Sequence, residues 1–236
     1  MGKSARNNPG RPRLVVLVVG TNTDIGKTWV TCQAIGGLVS QGYKVSARKP
    51  VQSCEISQAD LGTTDADLLA RETGEPSELV CPKHRTYPVP LAPPMAARLL
   101  GRDPVLIDDL AREINWDGSA DFCFVESVGG ICSPIAENGD SRNLISKLSP
   151  DVLVLVADSG LGTITHIVSG LDSLHLECKD RFLVQPGLEQ VIFLNRFNPN
   201  SSVHRGNLDW LNQHLNVQVL TEQQTLVRAL KDRLAR

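Results

Sequence analysis

No two cysteines stand at C-x-x-C spacing, no apolar run approaches bilayer-spanning length, and positive charge is not in excess. Each absence removes a class of protein. The six cysteines (Cys32, Cys54, Cys81, Cys123, Cys132 and Cys178) are scattered over 236 residues. That pattern excludes a disulfide frame and a zinc site, and it reads as reduced thiols in a cytoplasmic protein. Without about 20 consecutive apolar residues, no membrane-spanning helix is expected. Lys and Arg number 24 against 26 Asp and Glu, a formal net charge of -2. Neither nucleic acid nor an acidic membrane surface is therefore an expected partner. The opening residues carry Lys3, Arg6 and Arg11 but no apolar segment, so no secretory leader is expected there. Residues 1–12 are expected to be a flexible lead-in to a single domain over 13–236. His166 and His204 lack metal-ligand spacing and read as structural. No internal repeat, low-complexity tract or linker interrupts the chain.

What is present begins with Gly20-Thr21-Asn22-Thr23-Asp24-Ile25-Gly26-Lys27-Thr28. It follows the apolar run Leu14 to Val19 and leads into residues 29–41, where Val30, Ala34, Ile35 and Leu38 recur at helical spacing. Strand, glycine-bearing turn, Gly-Lys-Thr and helix together make a phosphate-binding loop. Such a turn aims unpaired backbone N–H groups inward, and the positive end of the helix dipole adds to them. Lys27 then reaches the outer phosphates, and the Thr28 hydroxyl can hold Mg²⁺. Five residues, rather than the usual four, separate the first glycine from Gly-Lys, and Thr21 takes the usual first-glycine place. An ordinary strand-to-helix turn is the alternative, and the flanking strand and helix weigh against it.

Short apolar runs alternate with helical patterns to the end of the chain, the mark of a mostly parallel sheet flanked by helices in an α/β fold. Strands are expected over residues 43–49, 122–125, 152–156, 190–194 and 217–220. Pro50 stops the first of these at Lys49, beside the phosphate loop, where open α/β sheets bind their ligands. Asp65 and Asp67 open an amphipathic helix; either could help hold Mg²⁺, although acidic residues are common there for the dipole alone. Residues 87–94 carry four prolines and read as extended or turning, with a helix over about 104–115. The strand at 122–125 ends in Glu126-Ser127-Val128-Gly129-Gly130, a carboxylate and a glycine pair suited to a ligand-facing rim. Asp158 to Thr163 forms a further loop, with Thr163 or Thr165 expected to cap the next helix. The N-terminus of that helix is a second anion site on the same edge. Helices over 203–215 and 222–234 close the pattern.

In this order, five fragments resemble the dethiobiotin synthetase family: residues 20–28, Lys49-Pro50-Val51 with Ser53, residues 93–97, Glu126 with Gly129-Gly130, and Ser159 to Thr163. The resemblance spans Leu14 to about Leu215. It implies a P-loop NTPase-like ligase joining 7,8-diaminononanoate, CO₂ (or bicarbonate) and ATP into dethiobiotin, ADP and phosphate, with Mg²⁺ as cofactor. It further implies that Asp24, Ile25, Gly26, Lys27, Thr28 and Trp29 wrap the ATP phosphates. Thr28, Asp65 and Glu126 hold the metal, and Ser127, Val128, Gly129, Asn195 and Arg196 complete the ATP site, with Asn195 reading the base. Lys49, with Lys27, is the implied catalytic pair; Thr23, Lys49, Ser53, Gly162 and Thr163 contact substrate. A homodimer is implied, with the neighbouring chain helping to hold the substrate carboxylate. The chain departs from the family pattern at Ser127, where the first glycine of Glu-Gly-x-Gly-Gly stands, and at residues 217–223, which lack the Gly-x-Ile-Pro-like stretch.

Two other classes compete. A partition- or division-type ATPase switch places a second lysine before the glycine pair, where this chain has Asn22. A P-loop retained only for binding has little use for Lys49 and Glu126. No arranged Ser–His or Cys–His pair is present, as suits a ligase that forms no covalent enzyme intermediate.

Overall fold

The computed structural model describes residues 10–55, 63–179 and 188–236. Its strands, in chain order, are β1 (Leu14–Gly20), β2 (Val45–Arg48), β3 (Gln52–Ser53), β4 (Thr86–Tyr87) and β5 (Phe122–Glu126). They continue with β6 (Pro134–Ala136), β7 (Gly139–Asp140), β8 (Val152–Asp158), β9 (Glu189–Asn195) and β10 (Gln218–Leu220). The helices are α1 (Lys27–Val39), α2 (Asp65–Thr73), α3 (Ser77–Val80), α4 (Pro93–Leu99) and α5 (Ile107–Arg112). After them come α6 (Ser141–Leu148), α7 (Thr163–Lys179), α8 (Ser202–His214) and α9 (Gln223–Leu234).

The central strand is β1, and its composition explains its place. Val15, Leu17 and Val19 feed one core while Leu14, Val16 and Val18 feed another on the opposite face. A strand covered on both faces has no polar side, so it reads as one continuous apolar run. Six strands pair in parallel in the order β10-β9-β8-β1-β5-β2. The chain goes from β1 out to β2, returns to β5 between them, then crosses β1 to β8 and continues outward. That reversal opens a crevice beyond the carboxyl ends of the strands, the usual ligand position in such sheets. Around it lie two small sheets, β3 with β4 and β6 with β7.

Every expected strand is present, with bounds moved by one or two residues, and the expected fold class holds. Other expectations need correction. The proline-rich stretch does not stay extended to Pro94: Pro93 and Pro94 form the first turn of α4, where a missing N–H costs nothing. The helix expected over 104–115 is confined to α5, opened by the Asp109 carboxylate accepting the Leu106 N–H at 3.1 Å. The hairpin β6–β7 and helix α6 had no counterpart in the sequence reading. Arg11, assigned to the loose lead-in, is tied down. Its guanidinium donates to the Leu148 and Ser149 carbonyls at 2.8 and 2.6 Å, and it lies over the Trp116 ring. A cation is favoured at the end of α6 by the helix dipole. Cys32, Cys54, Cys81, Cys123 and Cys132 are free thiols. Among the described residues no helix is long and apolar enough to cross a membrane.

Candidate functional site

The phosphate loop bridges β1 and α1. Gly26 sits at φ 85°, and a Cβ there would stand 2.3 Å from Asn195 Nδ2, so only glycine fits. No side chain caps α1, which leaves its first-turn N–H groups facing the crevice. The loop is braced from β9: Asn195 Nδ2 donates to the Ile25 carbonyl at 2.7 Å, and Arg196 Nη2 to the Asp24 carbonyl at 2.9 Å. Lys27 is buried, and its Nζ lies 3.5 Å from the Asn22 carbonyl. Burial, and then the charge of Lys49, pull its pKa below the ordinary lysine range.

Lys49 lies just past β2, where its N–H donates to the Val80 carbonyl at 2.7 Å. Its ammonium, 1% exposed, stands 2.6 Å from both Asp65 Oδ2 and Glu126 Oε1. Burial opposes the charge, but the two carboxylates outweigh it and hold Lys49 above the ordinary lysine range. Asp65 responds in kind: burial would raise its pKa, and Lys49 more than offsets that, leaving it below the usual carboxylate range. Thr28 Oγ1 lies 2.9 Å from Asp65 Oδ1 and 2.7 Å from Glu126 Oε1. One hydroxyl proton cannot serve both oxygens. The three converging oxygens form a hard, all-oxygen donor set with one hydrogen too few, which fits Mg²⁺ held by two carboxylates beside a phosphate chain.

Two adjoining compartments open here. One, of about 500 Å³, includes Gly26, Lys27, Thr28, Lys49, Asp65 and Arg196 in its lining. The other, of about 410 Å³, is walled by Pro90, Leu91, Ala92, Pro93 and Pro134. Thr23, Asp24, Ser53, Cys54, Val128 and Gly129 line both and mark their junction. Ser53 Oγ is buried without a hydrogen-bond partner among the described residues, a group left for a ligand to satisfy.

The sequence-derived site residues divide accordingly. Thr23, Asp24, Gly26, Lys27, Thr28, Lys49, Ser53, Asp65, Val128, Gly129 and Arg196 line the compartments, and Glu126 touches them through Lys49 and Thr28. The alternative ligand Asp67 is engaged elsewhere: its carboxylate accepts the Thr64 N–H at 2.9 Å, capping α2, and the Ser77 hydroxyl at 2.6 Å. Ile25 belongs to the core, and Trp29 is half exposed outside the two linings. Ser127 does not offer its donors to a ligand. Its N–H goes to the Val18 carbonyl at 3.0 Å and its hydroxyl packs against that of Ser141. Asn195 holds Ile25 with one amide hydrogen, and its Oδ1 accepts the Arg196 N–H at 2.9 Å. Gly162 and Thr163 stand outside both linings. Thr163 is the first residue of α7 and donates its hydroxyl to the Asp158 carbonyl instead of capping the helix. Sequence reasoning missed Thr31 and Gln52. Thr31 follows Thr28 by three positions on α1, and that spacing was the available signal. Gln52 accepts the Ala66 N–H and donates to Thr86 Oγ1, both at 3.0 Å, fixing the start of α2 and with it Asp65.

A phosphate loop on a parallel sheet, with a buried lysine and two carboxylates at the neighbouring strand and helix ends, defines a P-loop nucleotide-binding α/β protein. Comparison with known proteins narrows this. A family model described as an AAA domain matches residues 15–224. The ATP-dependent dethiobiotin synthetase BioD of Caulobacter sp. (strain K31) is 39% identical over 164 residues, covering 67% of this chain and 69% of that protein. The protein of the same name from Anaeromyxobacter sp. (strain K) is 34% identical over 188 residues, covering 78% and 77%. The chain belongs to the ATP-dependent dethiobiotin synthetase family. The MinC:MinD cell division protein complex of Aquifex aeolicus contains a chain of similar fold, at a TM-score of 0.51 and 17% identity, covering 93% of this chain and 86% of that one. Identity that low carries the fold alone.

Proposed function

We propose that this enzyme of biotin synthesis closes the ureido ring of dethiobiotin from 7,8-diaminononanoate, CO₂ and ATP, releasing ADP and phosphate. The observation that carries the reading is the junction of the two compartments. A chamber lined by Lys27, Lys49 and Arg196 meets a proline-walled one where Ser53 and Thr23 line both. ATP belongs in the first chamber and the diamine's apolar chain in the second. One amine adds to CO₂, forming a C–N bond and losing a proton, to give a carbamate. A carbamate oxygen attacks the γ-phosphorus and the bond to ADP breaks. The second amine attacks the carbonyl carbon of the mixed anhydride, phosphate leaves with the bonding pair, and the amine loses its proton.

Carbamate and triphosphate are both anions, so their approach needs positive charge between them. Lys27 and Lys49 supply it from buried positions where water does not screen it. Thr28, Asp65 and Glu126 would hold Mg²⁺, which would supply further charge neutralisation at the phosphates. Ser53 Oγ and Thr23 orient the amines. Ring closure joins two ends of one bound molecule, and such positioning can be worth roughly 7–11 kcal/mol. The family resemblance also implies a homodimer in which the neighbouring chain helps to hold the substrate carboxylate. We place the enzyme in the cytoplasm, where ATP is supplied, acting through a single domain over 13–236 on small molecules rather than nucleic acid or membrane. The test supplies ¹³C-bicarbonate with ATP, Mg²⁺ and the diamine, and weighs the product. Dethiobiotin one mass unit heavier supports the reading; ATP consumed without that product rejects it.

A further inference from the structure

Glu126 is completely buried at the end of β5, and both of its oxygens are occupied. Oε1 takes the Lys49 ammonium at 2.6 Å and lies 2.7 Å from Thr28 Oγ1. Oε2 takes the Thr31 hydroxyl at 2.8 Å. Thr28 and Thr31 lie three apart on α1, hence on one face, and grip the carboxylate from its two ends. The Thr31 hydroxyl also lies 2.9 Å from the Lys27 carbonyl one turn back. It has one proton, and a carboxylate accepts more strongly than a carbonyl, so the proton goes to Oε2.

We propose that Thr31 is a positioning residue: its hydroxyl pins Glu126 Oε2, so that Oε1 stays at the point shared by Thr28, Asp65 and Lys49. Without that bond a buried carboxylate oxygen loses its donor, and rotation about the terminal torsion is the cheapest way to find another. Terminal sp² torsions are broad, so side-chain preference does not oppose that rotation. Oε1 then leaves the oxygen set. Outer partners of metal-binding carboxylates commonly matter about 10- to 100-fold in metal affinity. A threonine bonded only to its own helix backbone would have no such effect.

The inference rests on the proposed metal role of Glu126, and its test keeps the two separable. Mn²⁺ is titrated into protein saturated with ADP, with free Mn²⁺ read by electron paramagnetic resonance, for wild type, T31V, T31S and E126Q. T31V is expected to weaken Mn²⁺ by about tenfold or more, T31S to stay within twofold of wild type, and ADP affinity without metal to be unchanged. T31A replaces T31V if the valine variant does not fold. Wild-type Mn²⁺ affinity in T31V, or equal losses in T31V and T31S, overturns the role of Thr31. Undiminished affinity in E126Q overturns the metal assignment beneath it.

Discussion

The phosphate loop and the Lys49 cluster share one crevice but stand in opposite electrostatic conditions. In the loop, α1 starts without a side-chain cap and the Lys27 ammonium lies 3.5 Å from the Asn22 carbonyl. In the cluster, Lys49 lies between two carboxylates, and Glu126 is bonded at both oxygens. Burial therefore drives Lys27 below the ordinary lysine range, while the carboxylates hold Lys49 above it. The uncapped start of α1 and the buried Lys27 suit the loop to an anionic ligand. The cluster sets one ammonium between two carboxylates, and these contacts fix its geometry without a ligand.

Removing groups from each region should break this contrast in a graded way. The largest effect is expected from Glu126→Ala, which leaves the Lys49 charge buried with one partner. Urea unfolding should show a loss of about 3–5 kcal/mol, the scale of a broken buried pair. Lys49→Met should lower turnover about 100- to 1,000-fold while nucleotide affinity, measured by calorimetry, stays close to wild type. Equal loss of both would mean that Lys49 belongs to the loop's function rather than the reaction. Gly26→Ala forces a Cβ to within 2.3 Å of Asn195 Nδ2 at φ 85°. We expect about 1–2 kcal/mol of backbone strain and weaker nucleotide binding, with Asn195→Ala in the same chain recovering part of the loss, as coupled neighbours should.

The smallest effect concerns acid. Asp65 has a depressed folded pKa because Lys49 outweighs its burial. It therefore adds stability above its unfolded pKa of about 3.9, and loses it as pH falls toward the folded value. Asp65 is 41% exposed, so solvent discounts the contribution to less than about 1 kcal/mol. Asp65→Asn should flatten the acid limb of the stability curve below pH of about 4, and an unchanged limb would argue that the pair is not formed in solution.

The parts of the molecule that were legible in the sequence are those whose signal is local. The β1 run, the Gly26-Lys27-Thr28 turn and the Pro50 stop after Lys49 each state their geometry within a few residues. The approach of Asp65 and Glu126 to Lys49 followed from family resemblance and not from spacing, since 77 residues separate Lys49 from Glu126. Helix α6 escaped notice although Asp140 caps it: the Asp140 N–H donates to Asn143 Oδ1 and the Arg142 N–H to Asp140 Oδ1, both at 2.9 Å; asparagine in place of Glu or Gln hides that signature. The proline pair at 93–94 closes a stretch read as extended or turning, yet it opens α4. Roles that depend on which way a side chain turns were beyond the sequence. Ser127 faces Ser141 and Thr31 faces Glu126, and no periodicity encodes either.

In the proposed reaction each compartment acts on the ligand of the other. Phosphate release from Mg·ATP, followed with and without 7,8-diaminononanoate plus bicarbonate, tests it most directly. Release should be negligible with ATP alone and rise with the diamine until its site saturates. Release at the same rate in both conditions would contradict the account and mark the protein as an ATPase indifferent to the second compartment.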